Sequence, residues 1–360
     1  MLTKINYYFY RNKKPFNKIN FSVGGQSSRY QPKPLYNLKI KEGKKLYGRK
    51  HFKLRSDMGD PTYLRTKLVS DIRNRLGIKS ISTNYIQLYI NNEFMGLYII
   101  SDVLNLPWIE NVYGDRKSTL LYKCTSLNDF LPDFSYGCEN KNEDATDDTE
   151  WLHLLKTIEN AKSASDLEEI FDIEHFLYEI AIDYSLNALD HYSHNFYMYK
   201  QPNGKWTYLS YDFDRDLGLI NNIYNMPYED YFNIYNNKGR LYDLLIKQDP
   251  SRFNEILKDI VNRVINPNTL YPHIDELKQF IKPYVVLDKT PIANGRYPGV
   301  LIDRPNFKYY SYEQWDTYSD YNDGNIDNEW SYEFGLKHLI LMKYRYICNM
   351  YNMECDPIYI

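Results

Sequence analysis

The chain has 360 residues, enough to bury a large core as one large domain or two lobes. An aromatic content of 16%, with 38 tyrosines, excludes a disordered chain, so the mean hydropathy of -0.62 reflects Tyr, Asn and Lys more than missing core residues. With 44 basic against 47 acidic residues and a net charge of -3, nothing points to nucleic acid or an anionic membrane as the main partner. No apolar run approaches the length of a membrane span. Met1 is followed by charge and Tyr rather than by a signal-peptide apolar core, which leaves an intracellular protein or a stretch whose targeting sequence is missing. Cys124 and Cys138 enclose a polar loop, and Cys348 and Cys355 lie close together, so two local disulfides or four free thiols are both open.

In chain order, residues 3–10 and 18–23 alternate Tyr, Phe and Ile with polar residues and read as strands. They lead into Gly24, Gly25, Gln26, Ser27, Ser28 and Arg29, a loop whose amides suit a phosphate but whose Gly pair is more often just a turn. Strands follow at Tyr36 to Lys41 and Phe52 to Arg55, making Lys33, Lys39 and Lys53 candidates for an inward lysine. Asp60-Pro61-Thr62 predicts a helix start, and Leu64, Leu68, Ile72 and Leu76 form its buried stripe before Gly77. Asp71 and Arg65 flank that stripe, facing either a cleft or solvent. Strands Tyr85 to Ile90 and Phe94 to Ser101, joined at Asn91-Asn92, complete a five-stranded antiparallel lobe with one helix. Asp102 to Pro107 reads as a hinge, dividing residues 1–104 from 105–360.

A short strand at Leu120 to Lys123 precedes an acidic loop that reaches Glu150, most simply a solvated one. Helical spacing then marks Trp151 to Ala161 and Ile173 to Leu189. The second delivers the chain to LDHYSHNFYMYKQPNGKWTYLSYDFDRDLG, Leu189 to Gly218, two strands joined by an Asn203-Gly204 hairpin turn. Asp190, Asn195 five residues later, and Asp212, Asp214 and Asp216 supply hard oxygen ligands that suit a metal-phosphate site. Three carboxylates in five residues repel unless a cation sits among them; Arg215 in a purely structural ion cluster is the alternative. Further helices are expected at Arg240 to Ile246, Phe253 to Val264, Leu270 to Ile281 and Trp330 to Met350, with an irregular surface excursion rich in exposed Tyr from Pro283 to Asn328.

Five stretches together resemble the CotH kinase family, the atypical protein kinases related to spore coat protein H, in its fungal secreted branch. They are GGQSSRYQPKPLYNLKIK (Gly24 to Lys41), FKLRSDMGDPTYLRTKLVSDI (Phe52 to Ile72), LYINNEFMGLYIISD (Leu88 to Asp102), DHYSHNFYMYK (Asp190 to Lys200) and YDFDRDLG (Tyr211 to Gly218). The resemblance implies an α+β, two-lobed protein-kinase-like fold: an N-terminal lobe of antiparallel sheet with one helix, and a larger, mostly helical C-terminal lobe with irregular insertions. It implies transfer of the ATP γ-phosphate to Ser or Thr of a protein substrate, with Mg2+ or Mn2+, in the secretory pathway, by a chain expected to be a monomer. Asp190 matches the catalytic-loop acid, Asn195 and Asp212 the metal ligands, and Asp214 the next acid of the motif. Ser27, Ser28 and Arg29 match the loop over the nucleotide; Lys33 or Lys53 would neutralise its phosphates, and Asp71 would pair with that lysine. Two other functions stay open: a surface or adhesin-like binding module of the same fold that has lost turnover, and metal-assisted hydrolysis of a phosphate ester.

Overall fold

Alternating burial along short strands builds the first half of the molecule, as seen in a computed structural model that describes residues 18–25, 31–41, 43, 45–191, 193–218, 224–234, 238–292, 295–301, 309–324 and 334–360. Strands β1 (Ile19–Val23), β2 (Tyr36–Ile40) and β3 (His51–Arg55) precede helix α1 (Arg65–Leu76), and β4 (Thr83–Ile90) and β5 (Glu93–Asp102) follow it. All five strands form one antiparallel sheet in the order β1-β2-β3-β5-β4. Asn91 and Asn92 both take positive φ, 52° and 65°, as a tight hairpin turn requires. The expected strand over residues 3–10 lies outside the described residues.

In β2, Tyr36, Leu38 and Ile40 are buried while Asn37 and Lys39 face solvent; Phe52 and Leu54 of β3 join them in a small core with Tyr98. The opposite face carries α1, whose Leu68, Ile72 and Leu76, with Leu64 just ahead of the helix, enter the large core with Leu97 of β5. The helix starts five residues later than the Asp60 signal predicts. Asp60 instead holds a turn, with Oδ1 accepting from Thr62 N at 2.9 Å and Oδ2 from Arg65 N at 3.0 Å.

Helix α2 (Leu106–Tyr113) is capped by Asn105, whose side chain accepts from Trp108 N at 3.0 Å. A second antiparallel sheet, β7-β6-β8-β9, is built from β6 (Leu121–Cys124), β7 (Cys138–Asn140), β8 (Phe196–Lys200) and β9 (Trp206–Ser210). Cys124 and Cys138 are cross-strand partners and form a disulfide, as do Cys348 and Cys355. Helices α3 (Thr149–Asn160) and α4 (Ile173–Ser185) precede the β8-β9 hairpin. The chain ends in α5 (Tyr228–Ile234), α6 (Arg240–Tyr242, continuing as a π turn over Asp243–Lys247), α7 (Ser251–Arg263), α8 (Pro267–Asp288), α9 (Tyr312–Tyr318) and α10 (Leu336–Met350). The whole is α+β and two-lobed, in the manner of a protein kinase. Among the described residues no helix is long and apolar enough to cross a membrane.

Helix α8 departs from expectation. It runs through Pro272 and Pro283 to Asp288, although a proline forfeits one helical hydrogen bond. Burial of Ile281, Val285 and Asp288 on one face outweighs that loss. The surface excursion expected from Pro283 is therefore helical at its start, and α9 buries Trp315 and Tyr318. Of its described tyrosines only Tyr321 is more than half exposed. This segment packs back on the turns of the first lobe: Trp315 Nε1 donates to Thr62 O at 2.9 Å, and Leu301 N to Pro32 O at 2.9 Å.

Candidate active site

The β8-β9 hairpin assembles the acid-rich stretch. Asn203 and Gly204 turn the chain, with the Asn203 side chain accepting from Lys205 N at 3.0 Å. Pairing of Phe196 with Ser210 leaves Asn195 opposite Tyr211, whose N–H donates to Asn195 O at 2.9 Å. Asp212 is the next residue. It takes the left-handed conformation, φ 76°, sparsely populated by residues other than Gly and held only where its surroundings insist. Asn195 also lies there, at φ 63°.

Asp190 sits on a 3-10 turn, Leu189–His191, just beyond α4. Asn195 Nδ2 donates to Asp190 O at 3.0 Å and to Asp190 Oδ2 at 3.1 Å. His194 Nε2 lies 3.1 Å from Asp190 Oδ1, and Arg215 Nη1 lies 3.7 Å from the same oxygen. Burial pushes the Asp190 pKa up, but the His194 hydrogen bond and the Arg215 charge outweigh it and hold the carboxyl below its ordinary range. Asp190 is therefore an ionised acceptor at neutral pH.

The turn carrying Asp190 is anchored from below by a buried ionic cluster. On α4, Asp183 accepts from Arg73 Nη2 and His191 Nδ1, each at 3.0 Å, while Glu179 accepts from Arg73 Nε at 3.0 Å and Ser210 Oγ at 2.6 Å. Lys238 donates to His191 O, and Arg73 lies 4.2 Å over the Phe213 ring. One helical residue of the first lobe thus grips α4, the Asp190 turn and the Asp212 turn together. The buried Asp216 carboxyl has no hydrogen-bond partner among the described residues, although Arg73 and His191 lie near it, and burial pushes its pKa up to about 7.

Period-2 alternation of β3 places Lys53 and Arg55 on the face opposite Phe52 and Leu54. Arg55 donates through both terminal nitrogens to Asp212 Oδ1, and its Nη1 lies 3.5 Å from Asp214 Oδ2. Lys53 Nζ lies 5.5 Å from the centre of the Tyr211 ring. Among the described residues it makes no ion pair, and burial with the nearby Arg55 and Lys123 charges lowers its pKa to about 7.

The remaining candidates lie elsewhere. The buried Lys33 ammonium is committed to Asp288 of α8 and to Leu97 O at 3.1 Å. Asp71 does not meet Lys33 or Lys53; it pairs with Lys67 on its own helix and accepts from His273 Nε2 at 2.9 Å. An acid one turn-position round from the stripe points along the helix, and the buried position that reaches the second lobe is Arg73. Ser27, Ser28 and Arg29 lie outside the described residues. No motif in the sequence marks Arg55 or Arg73. The alternation that nominated Lys53 also nominates Arg55, and Arg73 follows the buried Val69 by four residues on α1.

Among the described residues no three His, Cys, Asp or Glu side chains form a ready metal cage. The oxygens present nonetheless suit a hard divalent ion. Among the described residues nothing donates to Asn195 Oδ1 or Asp212 Oδ2, since Asn195 bonds through Nδ2 and Asp212 through Oδ1.

A family model described as CotH kinase protein matches residues 21–322, which take in both sheets, the Asp190 turn and the Asp212 turn. The chain belongs to the CotH kinase protein family. Within that family it is similar to Invasin CotH2 of Rhizopus delemar, 25% identical over 94% of this chain and 61% of the relative. Invasin CotH3 of the same organism is 25% identical over 79% of this chain and 52% of its own length, and Spore coat protein homolog 1 is 25% identical over 73% and 46%. The chain thus spans about half to three-fifths of the curated CotH relatives it matches.

Proposed function

We propose that this CotH family member is a metal-dependent protein Ser/Thr kinase that transfers the ATP γ-phosphate to secreted or surface proteins. The observation that carries this reading is the Asp190 to Asn195 contact, with Asp212 set in a left-handed turn one residue beyond Asn195's cross-hairpin partner. Phosphoryl transfer asks little of a protein beyond positioning and charge, and these groups supply both. Asp190, kept ionised, would orient the acceptor hydroxyl and take its proton. Asn195 and Asp212, with Asp214 assisting, would hold Mg2+ or Mn2+, which when bound neutralises the phosphates. Lys53, on the same strand face as Arg55 and with no ion-pair partner among the described residues, is the lysine best placed to meet them. The two disulfides favour an oxidising compartment, and relatives named invasin and spore coat protein agree with a surface or secretory location.

A second reading, a binding module of this fold without turnover, is favoured by those invasin names and by Arg55 sitting on Asp212. Thermal shift separates the two. A kinase gains melting temperature with ATP and Mg2+ or Mn2+, because a ligand of the folded state stabilises it by mass action. Asp212→Ala abolishes the gain, whereas Asp190→Ala keeps it and loses phosphate transfer to a panel of Ser-rich secreted proteins. No shift at millimolar ATP with either metal overturns the kinase reading in favour of the binding module.

A further inference from the structure

We infer that Arg55 is a built-in counter-cation of the acid turn, which holds Asp212 while no metal is bound and gives it up when metal and nucleotide arrive together. This rests on the kinase reading for the identity of the incoming groups. Carboxylates crowded into one turn need a cation, and the sequence offers Arg215 for that task. The fold assigns it otherwise. Arg215 is half exposed and lies against Asp190, and Asp216 is withdrawn into the buried cluster around Arg73 and His191. Among the described residues Arg55 alone is within ion-pair distance of Asp212 and Asp214, and it makes no other ion pair.

Arg55 holds Asp212 through Oδ1 alone, but a divalent ion on Oδ2 would stand beside the guanidinium, and the two cations repel at that distance. Metal alone therefore binds against that repulsion or pushes Arg55 aside, which leaves an unpaired charge on a partly buried strand face. Nucleotide removes that cost. Arg55 lies two residues from Lys53 on the same face, and a guanidinium released from Asp212 there can set its planar fork against two oxygens of a phosphate. The consequence is cooperation: weak metal binding alone, stronger metal binding with nucleotide, and an acid turn whose charge is partly offset in between.

Mn2+ binding, followed by the loss of the free-ion electron paramagnetic resonance signal with and without a non-hydrolysable ATP analogue, tests this directly. Wild type is expected to bind Mn2+ at least about tenfold more tightly with the analogue than without, a difference of about 1.4 kcal/mol. Arg55→Gln is expected to bind Mn2+ alone about tenfold more tightly than wild type and to lose most of the nucleotide enhancement. Arg55→Lys, which keeps the charge but not the fork, falls between them and serves if the Gln variant does not fold. Wild type that binds Mn2+ with nucleotide, beside Arg55 variants that bind Mn2+ alone no better than wild type, overturns the inference and leaves the kinase reading standing. No Mn2+ binding by folded wild type under any condition overturns both.

Discussion

Asp288 is the most exacting place to perturb this molecule, because three donors from the first lobe converge on one carboxylate at the end of α8. Lys33 Nζ and Leu97 N, the latter at 2.7 Å, meet Oδ1, and Tyr63 Oη donates to Oδ2 at 2.8 Å; all four residues are buried. Asp288→Ala breaks a buried ion pair from one side, a change that costs about 3 to 5 kcal/mol. It also orphans two neutral donors, at about 1 to 3 kcal/mol each. The losses do not add fully. Burial already lowers the Lys33 pKa against the opposing pull of Asp288, so without its partner the ammonium sheds its proton and caps the penalty. The expected net loss is roughly 5 kcal/mol, or a fall in Tm on the order of 10 °C. Urea denaturation read by Trp fluorescence measures it, since Trp315 is bonded to the adjoining Thr62 carbonyl. Lys33→Met with Asp288→Leu, which removes both charges, is expected to lose clearly less than Asp288→Ala. A single mutant within about 1 kcal/mol of wild type, or a double mutant as unstable as the single, refutes the reasoning.

Other consequences can be checked on the same footing. Lys53→Met deletes an amine with no ion-pair partner among the described residues and is expected to weaken nucleotide binding by about 10- to 100-fold, the worth of one charge-assisted hydrogen bond, without lowering Tm; calorimetric titration with an ATP analogue reads it. Lys238 is fully buried, and burial lowers its pKa to about 7 from 10.5. A base with a depressed folded pKa binds fewer protons folded than unfolded between those values, so this residue makes stability rise as pH increases from 7 to 9. Lys238→Met is expected to flatten that rise in urea melts at the two pH values, and an unchanged slope counts against the assignment. Reducing the Cys124–Cys138 bond opens a loop with a sequence separation of 14, which is expected to cost about 3 kcal/mol in the chain-entropy picture. Cys124→Ser with Cys138→Ser, compared with wild type under oxidising and reducing conditions, measures that loss.

Local chemistry makes much of the site legible in the sequence. The Asn203-Gly204 turn and the alternating strands around it define the hairpin, and a hairpin of that register must return Tyr211 beside Asn195. The stripe Leu64, Leu68, Ile72 and Leu76 is buried as its spacing requires. The helix boundaries were less legible. Asp60 looks like a cap, yet its carboxylate closes a turn ahead of the helix, and Pro283 looks like a stop, yet α8 passes through it because Val285 and Asp288 gain burial beyond. Pairings of charge were the least legible. Asp71, Lys33 and Arg215 each have a plausible partner in the sequence and a different one in space.

What the sequence determined by itself is whatever depends on neighbours along the chain: which stretches alternate, which repeat every three or four residues, and which acids a tight hairpin brings within reach of one another. Tertiary structure alone decided which cation serves which carboxylate. Lys33 reaches Asp288 across 255 positions and Arg55 reaches Asp212 across 157. Separations of that size are bridged only by the packing of whole elements, so the choice among many chemically equal partners is made by the stacking of α1, α4 and α8 on the sheets and not by any local preference of the residues themselves.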